Sequence, residues 1–143
     1  MEESSFIPKR THVLLELINI SNGIQGKTKL QKMMFLAKQE YGVEHEYKFE
    51  KYNYGPYSFQ LSEDLKALQS LEFIKVDETI FDTEGPFIGK LFIFSLTDKG
   101  KEIMKKIIPQ ISGEDISKLT KLVNDWNSKP LPEIINYVYS HYM

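Results

Sequence analysis

Between two long stretches of helical periodicity, the chain carries one pair of apolar runs around a turn. Phe73-Ile74-Lys75-Val76 and Thr79-Ile80-Phe81 precede Asp82-Thr83-Glu84-Gly85-Pro86, and 90–96 follow it. Apolar, β-branched and aromatic residues on both sides of a Gly/Pro/Asp cluster read as a β-hairpin. Strands are therefore expected near 73–81 and 87–96. A single hairpin inside a helical chain restricts the fold to the α+β class.

The helices are legible from apolar spacing. Val13, Leu14, Leu17 and Ile18 place a first helix over 11–20, and Asn22-Gly23 stop it with residues that tolerate a left-handed backbone. Thr28-Lys29-Leu30-Gln31 fits a capping box and starts a second helix. Its apolar stripe is Leu30, Met33, Met34, Ala37 and Tyr41, with Lys29, Lys32 and Gln39 on other faces and Gly42 closing it. Ser58 caps a third helix carrying Leu61, Leu65, Leu68 and Leu71. After the hairpin, Thr97-Asp98 opens a fourth helix with Ile103, Met104, Ile107 and Ile108, which Pro109 ends. Two more are expected over 114–126 and 132–142, with Pro130 and Pro132 at their joint.

Three helices followed by a two-stranded wing is the winged-helix order, a variant of helix-turn-helix. The segment Phe94-Ser95-Leu96-Thr97-Asp98-Lys99-Gly100 resembles the wing-to-helix junction of winged-helix transcriptional regulators. Apolar residues end the strand, Thr97 caps the next helix, and Gly100 leaves room for close packing. The expected organisation is a winged-helix domain over 1–110 and a helical extension over 111–143. That extension packs on the domain or forms a homodimer interface through Leu119, Leu122, Val123, Trp126, Ile134, Ile135 and Val138.

A second resemblance rests on Gly26-Lys27-Thr28-Lys29-Leu30-Gln31-Lys32-Met33-Met34-Phe35-Leu36-Ala37 and on Tyr54-Gly55-Pro56-Tyr57-Ser58. These blocks are similar to the YwgA-like family of prokaryotic proteins and, more distantly, to the SocA-like (Panacea) antitoxin domain. The resemblance implies binding and neutralising a toxin partner, or acting as a proteolytic adaptor.

Composition narrows the chemistry. The 143 residues hold 18 Lys plus Arg against 20 Asp plus Glu, a formal charge of -2, which excludes a polybasic nucleic-acid coat. With no cysteine there are no disulfides, thiolate metal sites or thiol nucleophiles. The acidic opening Met-Glu-Glu-Ser-Ser has no apolar run, and no stretch is long enough to span a bilayer, so a cytosolic protein without membrane contact is expected.

No catalytic constellation is legible, and the chain reads as non-enzymatic, without metal or cofactor. His12, His45 and His141 lack ligand spacing. Gly23-Ile24-Gln25-Gly26-Lys27-Thr28 ends like a phosphate-binding loop, but Ser21 stands where that pattern needs glycine and a helix stands where it needs a strand.

Two binding candidates remain. Lys27, Lys29 and Lys32 cluster at a helix N-terminus, where free amides also attract anions. With Lys66 on the third helix and Lys90 on the wing, they form the candidate nucleic-acid contacts. Seven of the 18 aromatics fall within 41–59. Tyr41, Phe49 and Phe59 read as a small core, and Tyr52, Tyr54 and Tyr57 as a candidate partner-binding surface. The third helix outside its stripe (Gln60, Ser62, Glu63, Asp64, Lys66, Ala67, Gln69, Ser70) is poor in cations for a DNA reader. Topology favours a DNA-binding transcriptional regulator. The alternative is a protein-interaction module of the antitoxin or adaptor kind.

Overall fold

The computed structural model describes residues 7–53, 55–83, 85–86 and 88–143. Among these, six α-helices surround a small antiparallel sheet. A 3-10 turn (Lys9–Thr11) leads into α1 (His12–Ser21), which ends where predicted: Asn22 takes a left-handed φ of 54° and Gly23 follows at 129°.

The next residues depart from the sequence reading. Ile24–Gln25 form a short strand, β1, and α2 (Lys27–Gln39) starts directly after it. The capping box at Thr28 does not form. Gly26, at φ 92°, is the N-cap and no side chain caps the helix. The reason is tertiary. The Gly26 amide donates to the Phe92 carbonyl at 2.8 Å, so the strand pairing runs to the helix's first residue.

After an irregular connection, β2 (Glu50–Tyr52) and β3 (Gly55–Tyr57) make a miniature hairpin that delivers the chain to α3 (Phe59–Ser70). Ser58 caps α3, its hydroxyl accepting from the Leu61 amide at 3.2 Å. Leu61, Leu65 and Leu68 are buried as expected, whereas Leu71 lies past the helix end and is exposed.

The long hairpin forms as predicted. β4 (Ile74–Asp82) and β5 (Ile88–Leu96) pair antiparallel from Ile74 opposite Leu96 to Asp82 opposite Ile88, and β1 adds to the other edge of β5, giving the order β1-β5-β4. Thr97 caps α4 (Asp98–Ile107), its hydroxyl accepting from the Gly100 amide at 2.9 Å. A Cβ at Gly100 would collide with the Phe73 carbonyl oxygen, so this helix crosses the start of β4 too closely for any side chain. A 3-10 turn at Ile108–Gln110 carries Pro109 and ends the segment.

α5 (Gly113–Trp126) packs on α1 and α2, and α6 (Leu131–Tyr142) on α2. Leu119, Leu122, Trp126, Ile134 and Val138 are buried in one cluster with Leu14, Leu17, Ile18, Met33 and Leu36. Each such side chain contributes about 1.5–3 kcal/mol by leaving water. The apolar faces of the last two helices are thus occupied within the chain. Among the described residues, no helix is long and apolar enough to cross a membrane.

Candidate functional site

The face of α2 that reads as polar in the sequence turns inward. Lys29 and Lys32 are about as buried as the leucines, at 3% and 2% exposure, and Gln31 is buried beside them. Each side chain enters the interior to meet a different backbone group. Lys29 donates to the carbonyls of Asn127 and Lys129, the latter at 2.8 Å, and so places a cation on the carbonyl end of α5. Gln31 pairs with the backbone of Ser58. Lys32 donates to the Pro56 carbonyl at 3.2 Å. The two blocks 26–37 and 54–58, distant in sequence, therefore meet side chain to backbone.

This placement corrects the basic-face expectation. Lys29 and Lys32 are buried and do not form an exposed basic face with Lys27. Lys27 remains exposed at the start of α2. Lys66 stands 3.7 Å from Glu63 on the same helix, and Lys90 3.4 Å from Glu78 across the β4–β5 hairpin, so each candidate cation there has an acidic neighbour.

The aromatic expectation is partly redistributed. Tyr41 and Phe49 pack half-buried against the core, but Phe59 is half exposed. It forms a three-ring cluster with Tyr52 and Tyr57, with centroids 5.0–5.5 Å apart. Tyr54 lies outside the described residues. The structure brings Lys27, Lys32, Tyr52 and Tyr57 together: with Thr28 and Gly55 they line a cleft of about 230 Å³ between the start of α2 and the β2–β3 hairpin. Burial without a compensating anion pushes the Lys32 amine down to about 8. The Gly23–Thr28 segment is no phosphate-binding loop, because Ile24 and Gln25 pair in register with Phe94 and Ile93.

Sequence reasoning missed a buried polar hub beneath α3. Asp64 accepts two hydrogen bonds from Arg10 (2.8 and 3.0 Å), one from the Tyr47 hydroxyl (2.7 Å) and one from Gln60 (2.8 Å). Burial alone would raise its carboxyl, but these donors and the Arg10 charge hold it below the usual carboxylate range. Asp64 and the buried Ser62 are therefore not surface residues of α3. What α3 exposes is Phe59, Gln60, Glu63, Lys66, Ala67 and Ser70.

A broader groove of about 700 Å³ opens between Lys9–Val13, 42–46 and the start of α5. Its cations Lys9, Arg10 and Lys38 face Glu44, Glu46 and Asp115, a mixture that selects neither sign of ligand.

On the β4–β5 hairpin, residues directly opposite each other share a face. One face carries Ile74/Leu96 and Val76/Phe94 near the body, then Glu78/Phe92, Ile80/Lys90 and Asp82/Ile88 outward. The apolar stripe starts in the core and continues into solvent: Phe92, Ile80 and Ile88 are 42%, 61% and 64% exposed. On the other face the Phe81 ring lies over Gly89.

No family model, curated protein or solved structure matches this chain.

Proposed function

We propose that this chain is a non-enzymatic winged-helix module whose wing binds a protein partner. The helix–strand–helix–helix–hairpin order and the sheet order β1-β5-β4 support the winged-helix assignment. The observation that carries the choice of partner is the exposed stripe Ile80, Ile88 and Phe92, bordered by Glu78 and Asp82, with Lys90 opposite Ile80 and 3.4 Å from Glu78. A DNA-reading wing needs cations near its tip, since phosphate neutralisation supplies much of the affinity. An apolar centre with a charged rim is instead the anatomy of a protein interface. The partner surface is accordingly apolar with a basic edge. The similarity of the 26–37 and 54–58 blocks to antitoxin domains agrees in kind with this reading.

A DNA-binding regulator is the second reading, favoured by the same topology, in which α3 is the helix that precedes the hairpin. One pair of measurements separates them. The protein reading expects a partner captured from source cells by the wild type and lost with Ile80→Glu/Ile88→Glu, and no retention of mixed duplex DNA at low salt. Retention that weakens as salt rises, with a log–log slope near -0.9 per phosphate contact, would establish the DNA reading instead.

A further inference from the structure

Lys29 and Lys32 are both buried on α2, but the protein's own groups satisfy them unequally. Lys29 closes onto two carbonyls at the end of α5. Lys32 has one carbonyl, that of Pro56, for three N–H donors, and no carboxylate approaches it among the described residues. A charged amine held out of water is costly unless an anion or a full set of acceptors compensates it.

The surroundings of that amine point to what compensates it. Helical side chains lean toward the N-terminus of their helix, so Lys32 reaches back toward the first turn of α2. There the amides of Lys27, Thr28 and Lys29 open a 13-residue helix that no side chain caps. Lys27, Thr28 and Lys32 line the same cleft of about 230 Å³, together with Tyr52 and Tyr57 from the hairpin. Gly55 makes the approach possible, since a Cβ there would press on the Lys32 Cε at 3.3 Å. A desolvated cation and the uncapped first turn of a helix thus border one small space.

We propose that this cleft binds a small phosphate monoester, its oxygens taken by the Lys32 amine and the first-turn amides of α2, and its organic part lying against Tyr52 and Tyr57. The dianionic oxygens supply the acceptors that Lys32 lacks and complement the positive end of the helix. The volume lies below the roughly 300–1,000 Å³ of pockets for drug-sized ligands, which selects a small ester over a dinucleotide. The residues that line the cleft are distinct from the exposed stripe of the β4–β5 hairpin.

Amide NMR and calorimetric titrations of the full chain with inorganic phosphate and with phenyl phosphate test this. Saturable shifts confined to Lys27, Thr28, Lys29 and the β2–β3 hairpin are expected, with phenyl phosphate the tighter of the two. Lys32→Met, which keeps the stem and removes the charge, should weaken both by about tenfold or more while remaining folded by circular dichroism. Lys27→Gln supplies a surface variant for which a smaller loss is expected. Undiminished binding by folded Lys32→Met overturns the proposal, as do shifts spread over the surface lysines or the absence of saturation. Equal affinity for the two probes overturns the role given to the tyrosines.

Discussion

Gln31 and Ser58 exchange two hydrogen bonds. The Gln31 side-chain amide donates to the Ser58 carbonyl at 3.0 Å, and the Ser58 amide donates back to Gln31 Oε1 at 2.9 Å. A buried side chain on α2 thereby imitates a neighbouring strand for the residue that caps α3. The cap itself is local, but the orientation of α3 against α2 depends on this pair. Lys32 holds the adjacent Pro56 from the same helix, so the β2–β3 hairpin and the start of α3 are anchored along one face of α2.

Replacing Gln31 with Leu leaves the Ser58 amide and carbonyl buried without partners. Each orphaned group costs about 1–3 kcal/mol, so Gln31→Leu is expected to destabilise by about 2–4 kcal/mol in urea unfolding. A loss below about 0.5 kcal/mol would mean that water or a shifted backbone replaces both bonds.

The Asp64 hub predicts an acid-sensitive component of stability. Its carboxyl is held below the ordinary range by its donors, against the opposing effect of burial. A depressed folded-state value stabilises above the unfolded pKa of about 3.9 and is lost as pH falls through the folded one. Asp64→Asn should cost about 2–4 kcal/mol at neutral pH, because the amide offers one acceptor oxygen and no charge where Arg10, Tyr47 and Gln60 donate to two. It should also flatten the acid limb of the stability curve. Tyr47→Phe, which removes one donor, should cost about 1 kcal/mol.

Lys32 predicts the opposite limb. Its amine titrates near 8 in the folded protein, lowered by burial from an ordinary value of 10.5. Between those values the unfolded chain binds more protons than the folded one, so stability rises with pH across that window. Subtracting the Lys32→Met curve from the wild-type curve isolates this rise. A flat difference from pH 7 to about 10.5 would show the amine to be solvated. A bound phosphate would reduce the rise by stabilising the charged form.

Gly100 tests the crossing of α4 over β4. Its missing Cβ admits the Phe73 carbonyl, a backbone atom that cannot rotate away. Gly100→Ala is expected to cost about 1–3 kcal/mol by thermal unfolding, although alanine has the better helix propensity. Gly89→Ala makes a contrast on the wing, because the group it meets is the Phe81 ring, a side chain able to turn outward. Its cost should be smaller.

The sequence by itself determined the features whose physics is local. Asn22-Gly23 ends α1 because those residues accept positive φ, and Ser58 and Thr97 cap helices through bonds to amides three residues on. Apolar runs around the 82–86 turn place the long hairpin, and apolar spacing places the helices. Only the tertiary structure decided the inward turn of Lys29 and Lys32. Periodicity assigns a lysine to the surface unless acceptors wait inside, and for Lys29 these come from an element about one hundred residues away. The same holds for β1, which exists through its pairing with β5, and for Asp64, whose donors come from Arg10 and Tyr47 on separate segments. Cleft, hub and exposed wing stripe arise where distant segments meet or part, and spacing along a chain carries no record of that.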